Sequence, residues 1–372
     1  MNIAWWKIQR ELRRLGAQLL EPYRRIRDAV LRMDYQMRHP HYVKHFEGDV
    51  PWTPRVAVFL IYQPHGIAET VIATCRYLRQ QGYACVLVSN GELAEKDRSR
   101  ISCDVAHVII RPNFGYDFGG YQEAVLWLLR SEIQLKQLLL LNDSVWFPVT
   151  RKCMFLSEME KTKADVVGAL SAQRGRSQRH QRKLFYASFM LMFSEKAWKS
   201  TEFVNFWMNY LQTSSKPRTI RLGERKLSAL FIHDARFTHH AMVDQQTYLA
   251  LAESKDASSL SLLAQELVVM DLRLEQERKA LLQCKDADVV TRWREWYARL
   301  CDSHNMFACA QTPLVLRSGV PFIKKSKDHH NMLVLRQTFN ALHFSDEMES
   351  LVMQEIQSHV DSYFHRVHAE GR

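Results

Sequence analysis

From residue 55 onward, unbroken apolar runs alternate with stretches whose apolar residues recur every three or four positions. The runs are Arg55–Tyr62, Ala84–Ser89, Val105–Ile110, Gln137–Leu141, Ala164–Leu170 and Tyr186–Ser194. A run that is apolar on both faces suits a strand covered by helices on both sides, as in a parallel sheet. The stretches between, Gly66–Gln81, Gly119–Ser131 and Glu195–Leu211, carry helical periodicity, and Gly82 is a helix stop. This alternation predicts right-handed βαβ units: an α/β, Rossmann-like, mainly parallel sheet flanked by helices. After about residue 250 the strands cease. Leu260–Leu282, Val289–Cys301 and Asp346–Val367 predict helices, with a Pro- and Gly-punctuated connection over Thr312–Lys325.

The first 38 residues follow another pattern. Trp5, Ile8, Leu12, Leu15, Leu19, Tyr23, Ile26, Val30 and Met33 form one apolar stripe, and Pro22 is expected to break the helix in two. Nine Lys or Arg stand against four acids, so this tenth of the chain holds +5 of the net +11. A basic amphipathic helix with terminal tryptophans suits the headgroup plane of an anionic membrane, or equally a helix packed on its own domain or a dimer seam. His39–Pro54, with three prolines and one glycine, reads as a linker. The predicted domains are 1–50 (amphipathic helix and linker), 51–250 (nucleotide-binding α/β unit) and 251–372 (helical region).

With 372 residues, 47% hydrophobic and 24% charged, the chain can bury a full core. The positive balance points to an anionic partner. Seven cysteines without a C-x-x-C pair, and no apolar leader, suggest a reduced cytoplasmic compartment. No segment reaches eighteen apolar residues, so none is expected to span a bilayer. The charge is concentrated in the first helix and one loop without a nucleic-acid-reading motif, so no nucleic-acid partner is expected.

The candidate chemistry lies where strands end. R-P-N-F-G-Y-D-F-G-G-Y, Arg111–Tyr121, follows one strand and opens a helix. Its glycines let backbone approach a ligand, and Asn113 and Asp117 offer base- or ribose-directed hydrogen bonds. The same spacing also serves a tight turn in which Asp117 caps the helix. Asn142-Asp143-Ser144 ends the next strand, where a carboxylate can engage a diphosphate through a divalent cation, Mg²⁺ or Mn²⁺, although one acid is a thin metal site. The loop Gln173–Lys183 holds five Lys or Arg and no acid, and arginine forks such as Arg174, Arg176 and Arg179 suit phosphate. Glu224, opening a helical run, is a candidate base for a hydroxyl nucleophile, or a plain helix-face glutamate.

Several of these segments, in register, resemble the rhamnan synthesis protein F family of bacterial surface-polysaccharide assembly. They are the Arg111–Tyr121 block, L-L-L-N-D-S, Y-A-S-F-M-L-M-F-S with its Ser188, G-E-R-K-L-S with Glu224, and G-V-P-F-I-K over Gly319–Lys324, together spanning about residues 55–325. That family in turn looks like GT-A glycosyltransferases. The resemblance implies a nucleotide-sugar site including Arg111, Asn113, Gly115, Asp117, Asn142, Ser144 and Ser188, with Asp143 and Glu224 catalytic. It further implies a lipid-linked oligosaccharide acceptor, a sugar that includes rhamnose among its candidates, and a position on the inner face of the plasma membrane. GT-A glycosyltransferases often show a strand ending D-x-D, whereas this one ends Asn142-Asp143-Ser144, which puts metal dependence at Asp143 in question. A non-catalytic scaffold with a degenerate nucleotide pocket is the alternative.

Overall fold

The computed structural model describes residues 21–174, 183–253, 256–326, 328–343 and 345–369. The strands are β1 Lys44–Glu47, β2 Arg55–Ile61, β3 Ala84–Ser89, β4 His107–Ile110, β5 Gln137–Asn142, β6 Val145–Trp146, β7 Val166–Arg174, β8 Lys183–Tyr186, β9 Met190–Ser194, β10 His239–Val243 and β11 Ile323–Lys324. The main sheet runs β1-β4-β3-β2-β5-β9-β7-β10, with β8 paired to β7. β4, β3, β2 and β5 are mutually parallel, as are β7 and β10, whereas β9 lies antiparallel between β5 and β7. The fold is therefore α/β with a mainly parallel sheet.

Side-chain alternation explains why the apolar runs were continuous. In β2, Ala57, Phe59 and Ile61 enter one apolar cluster, and Val56, Val58 and Leu60 enter the other. β5 divides likewise, with Leu139 and Leu141 on the first face and Leu138 and Leu140 on the second. The first face is covered by the helix Glu69–Gln80 and by helices after residue 250, through Leu260, Leu281, Trp293, Trp296 and Leu314. The second is covered by the helices Tyr116–Arg130, Thr201–Asn209 and Arg225–Ile232. The helical C-terminal region thus shares the sheet's core. A third cluster joins Trp146, Val149 and Ile323 to the last two helices, His329–Leu342 and Ser350–Ala369.

Chain direction creates the site. From β2 the chain steps outward to β3 and β4, then crosses back so that β5 lies on the other side of β2. At such a reversal, connections leave the sheet in opposite directions and open a crevice beyond the carboxyl ends of the two strands. Here that switch point falls at the ends of β2 and β5.

Three expectations need correction. The segment 39–54 is not a linker: the helix continues as Glu21–Tyr42 with Pro40 inside it, and β1 pairs antiparallel with β4. Tyr186–Ser194 is not one strand, because the chain turns through Ala187–Phe189 between β8 and β9. Thr312–Lys325 contains the helix Gln311–Ser318 and β11 rather than only a connection.

The N-terminal stripe lies partly outside the described residues, in 1–20. In Glu21–Tyr42 the helix is turned with its polar side inward. Asp28, fully buried, pairs with Arg218 at 3.0 Å and accepts from the Ser214 hydroxyl at 2.7 Å. Tyr35 donates to Glu123 at 2.8 Å. Tyr23, Ile26, Val30, Met33 and Met37, on the opposite side, are 58–73% exposed. No helix among the described residues is long and apolar enough to cross a membrane.

Candidate functional site

Asp143 follows β5 directly and bridges the two strands that flank the crevice. Its Oδ2 accepts from the Tyr62 N–H at 3.0 Å and the Gln63 amide at 2.8 Å, both just past β2, and its own N–H donates to Leu60 at 3.0 Å. Burial raises its pKa, while the Tyr62 and Gln63 hydrogen bonds and nearby Lys325 oppose that rise.

Asp117 reaches the same place from β4. Gly115 sits at φ +83° as the N-cap of the helix Tyr116–Arg130, where a Cβ would approach Gln212 to 3.0 Å. Tyr116 follows at φ +53°, a left-handed position costly for a side-chain-bearing residue. Asn90 holds this bend by donating to the Tyr116 carbonyl at 3.1 Å. The bend delivers Asp117 to Asn142, whose amide donates to its Oδ2 at 3.4 Å. Burial pushes the Asp117 carboxyl up to about 6; Lys324 and Lys216 pull it down, while Asp143 and Glu224 add to the rise.

The other predicted residues are placed as follows. Glu224 enters from the far wall, where its Oε2 accepts the Ser188 N–H at 2.9 Å. Tyr121 donates to the Ser188 carbonyl at 2.9 Å, so Ser188 ties the β9 entry to both walls. Ser144 is half-buried beside Asp143, its N–H bonded to the Asn142 side chain at 3.1 Å. Asn113 is exposed on the rim. Arg174 ends β7, which runs parallel to β5, so the basic loop departs from the same sheet edge; Arg176 and Arg179 lie outside the described residues.

Arg111 is turned into the protein rather than toward the strand ends. It is 1% exposed, and its guanidinium donates to Asn90 Oδ1 at 2.6 Å, the Phe114 carbonyl at 2.7 Å, Gln212 Oε1 at 3.2 Å and the Tyr35 hydroxyl at 3.2 Å. It braces the turn. The glycines likewise serve packing: a Cβ on Gly119 would meet the Phe114 carbonyl at 2.2 Å, and one on Gly120 would meet Leu60 at 2.2 Å.

Lys324 entered the sequence reading only as the end of G-V-P-F-I-K and was assigned no role. β11 pairs with β6, setting Lys324 opposite Val145, and its ammonium donates to the Ser144 hydroxyl at 3.0 Å. Asp117, Glu224 and Asp143 are its opposing charges. This bears on a metal. Mg²⁺ is often held by one or two carboxylates with phosphate oxygens and water. Here an ammonium already faces those carboxylates, and no group of three His, Cys, Asp or Glu fit for an ion occurs among the described residues. These residues do not fit a divalent-ion site.

A cavity of about 450 Å³ lies elsewhere, between the helix Glu21–Tyr42 and the body, lined by Arg32, His39, Glu123 and Gln212 among others. Its polar walls are internally paired: Glu123 takes Tyr35 and His39, and Arg32 takes the Gln212 carbonyl. The convergent charges are at the β2–β5 crevice.

An α/β sheet with acids and a lysine gathered at its switch point has its charges where sheets of this class place their ligands. The family model for rhamnan synthesis protein F matches residues 85–273, half of the chain, and the chain belongs to that family. An uncharacterized protein, y4gN, of Sinorhizobium fredii (strain NBRC 101917 / NGR234) is 32% identical over 228 residues, covering 60% of this chain and 58% of the relative. The chain therefore spans a little over half the length of that relative. Among solved structures, the glycosyltransferase GlyE of Streptococcus pneumoniae TIGR4 aligns with TM-score 0.32 and 12% identity over 73% of this chain and 66% of that one. Core-mannan synthase A of Aspergillus fumigatus, in its Mn/GDP form, aligns with TM-score 0.26 and 8% identity over 41% and 63%. Similarity at this level transfers no geometry.

Proposed function

We propose that this protein is a GT-A-like glycosyltransferase of surface-polysaccharide synthesis, of the O-antigen or rhamnan type. It takes a sugar, with rhamnose a candidate, from a nucleotide-sugar in the β2–β5 crevice and passes it to a lipid-linked saccharide. The observation that carries this reading is Asp143 bridging the two strands of the switch point, with Asp117 brought against the same strand end. Asn113 on the rim would meet the nucleoside, Asp143 and Ser144 the diphosphate side, and Arg174, Arg176 and Arg179 the leaving phosphates. An acceptor hydroxyl oxygen attacks the anomeric carbon, the bond to the diphosphate breaks, and the hydroxyl proton passes to Glu224 or Asp117. Asp117 titrates near neutrality, as a general base should. Most of the acceleration would come from holding donor and acceptor together, worth roughly 7–11 kcal/mol at best.

The outward apolar side of Glu21–Tyr42 supports peripheral attachment to an anionic membrane, at the inner face of the plasma membrane where a lipid-linked acceptor would be met. Thermal denaturation against UDP-, GDP- and dTDP-sugars tests the function. One donor class should raise the melting temperature by mass action. Silence across the panel would favour a scaffold with a degenerate pocket.

A further inference from the structure

We infer that Lys324 is the resident cation of this crevice, its ammonium receiving the donor's diphosphate where many transferases place a divalent metal. This rests on the nucleotide-sugar reading above and assigns the cation that reading needs.

The backbone fixes the lysine's origin. Phe322 and Ile323 are buried, and Ile323 pairs with Trp146. The Lys324 N–H donates to Gln311 Oε1 at 2.9 Å, and the Lys325 N–H donates to the Ser144 carbonyl at 2.9 Å. The ammonium of Lys324 is thereby held on Ser144, the residue after Asp143. The two adjacent lysines are used differently. Lys325 forms an ion pair with Glu355 at 3.2 Å and also acts on Asp143, while Lys324 faces Asp117 first and Glu224 and Asp143 after it, with Lys216 among the same charges.

The chemistry requires such a group. A diphosphate entering beside three carboxylates would be repelled, and the leaving nucleoside diphosphate gains charge as the glycosidic bond breaks. A fixed ammonium at the strand end offsets both. Burial and neighbouring Lys216 lower the pKa of Lys324, and the three carboxylates work against that fall. A divalent ion placed among the same carboxylates would instead confront the ammonium.

The test is calorimetric titration of the full chain with UDP, GDP and dTDP, each in EDTA and again with Mg²⁺ or Mn²⁺. The nucleoside diphosphate that binds should do so within about twofold in both conditions. Its affinity should fall at least tenfold in Lys324→Met and in Lys324→Gln, and recover to within about threefold in Lys324→Arg. Binding that requires added metal, or that survives both neutral substitutions, overturns the assignment to Lys324 and leaves the transferase reading standing. Failure of all three nucleotides to bind the wild-type chain in either condition overturns the transferase reading and this assignment with it. Should a neutral variant fail to fold, the wild-type comparison between EDTA and metal decides.

Discussion

Arg111 and Lys324 lie at the same sheet edge, yet their surroundings differ. The Arg111 guanidinium is enclosed by neutral acceptors: two amide oxygens, a backbone carbonyl and a tyrosine hydroxyl. Lys324 has one hydroxyl within hydrogen-bond distance and faces carboxylates. A cation saturated by neutral groups fixes backbone; a cation facing charges can exchange partners with a ligand. The first position explains why the Arg111–Tyr121 turn has its shape, and the second what the turn is aimed at.

Substitution should separate the two roles. Arg111→Met leaves several buried acceptors unsatisfied, each costing about 1–3 kcal/mol, and should lower stability by at least about 3 kcal/mol in denaturant titration. Lys324→Met should move stability far less and appear in nucleotide affinity. Equal stability losses would erase the distinction.

Asp117 gives a middle-sized effect. Its carboxyl rises from 3.8 to about 6 on folding, so between those values the folded chain holds the proton longer than the unfolded one. Stability from this group is therefore lost as pH rises through the window, by up to about 3 kcal/mol. Asp117→Asn should melt higher than wild type at pH 7.5, with the gain vanishing near pH 4, while sugar transfer falls. A gain independent of pH would show that the acid is not strained by burial.

The two sides of Glu21–Tyr42 give the smallest stability effect. Ile26→Asp with Met33→Asp, both on the exposed side, should change stability by under about 0.5 kcal/mol and reduce sedimentation with vesicles containing anionic phosphatidylglycerol. Unchanged sedimentation would remove this face from membrane attachment.

Much of the fold was legible because buried strands leave unbroken apolar runs: Ala84–Ser89 has the bounds of β3, and Arg55–Tyr62 exceeds β2 by one residue. β1 was hidden because Lys44-His45-Phe46-Glu47 is an edge strand with largely exposed residues between prolines. β10 was hidden because it begins with two exposed histidines. The outward turn of the first helix was not legible, since it depends on Asp28 meeting Arg218, 190 residues away. At the site, Asp117, Asn142, Asp143, Ser144, Ser188 and Glu224 were chosen from sequence and are brought together. Arg111 entered through the family resemblance, and its burial could be known only from the partners around it. Lys324 was named only as the last residue of G-V-P-F-I-K and given no role, because β11 brings it to Ser144 from 180 residues away.

The most direct test concerns Asp143, whose carboxylate joins the two strands of the crevice. Wild type and Asp143→Ala should be titrated side by side with the nucleotide-sugar that stabilises the wild-type protein, and then assayed for transfer to a lipid-linked acceptor. A folded variant that binds the donor at least tenfold more weakly and transfers no measurable sugar is the expected result. A folded variant with wild-type affinity and wild-type product would place the chemistry somewhere other than the β2–β5 crevice.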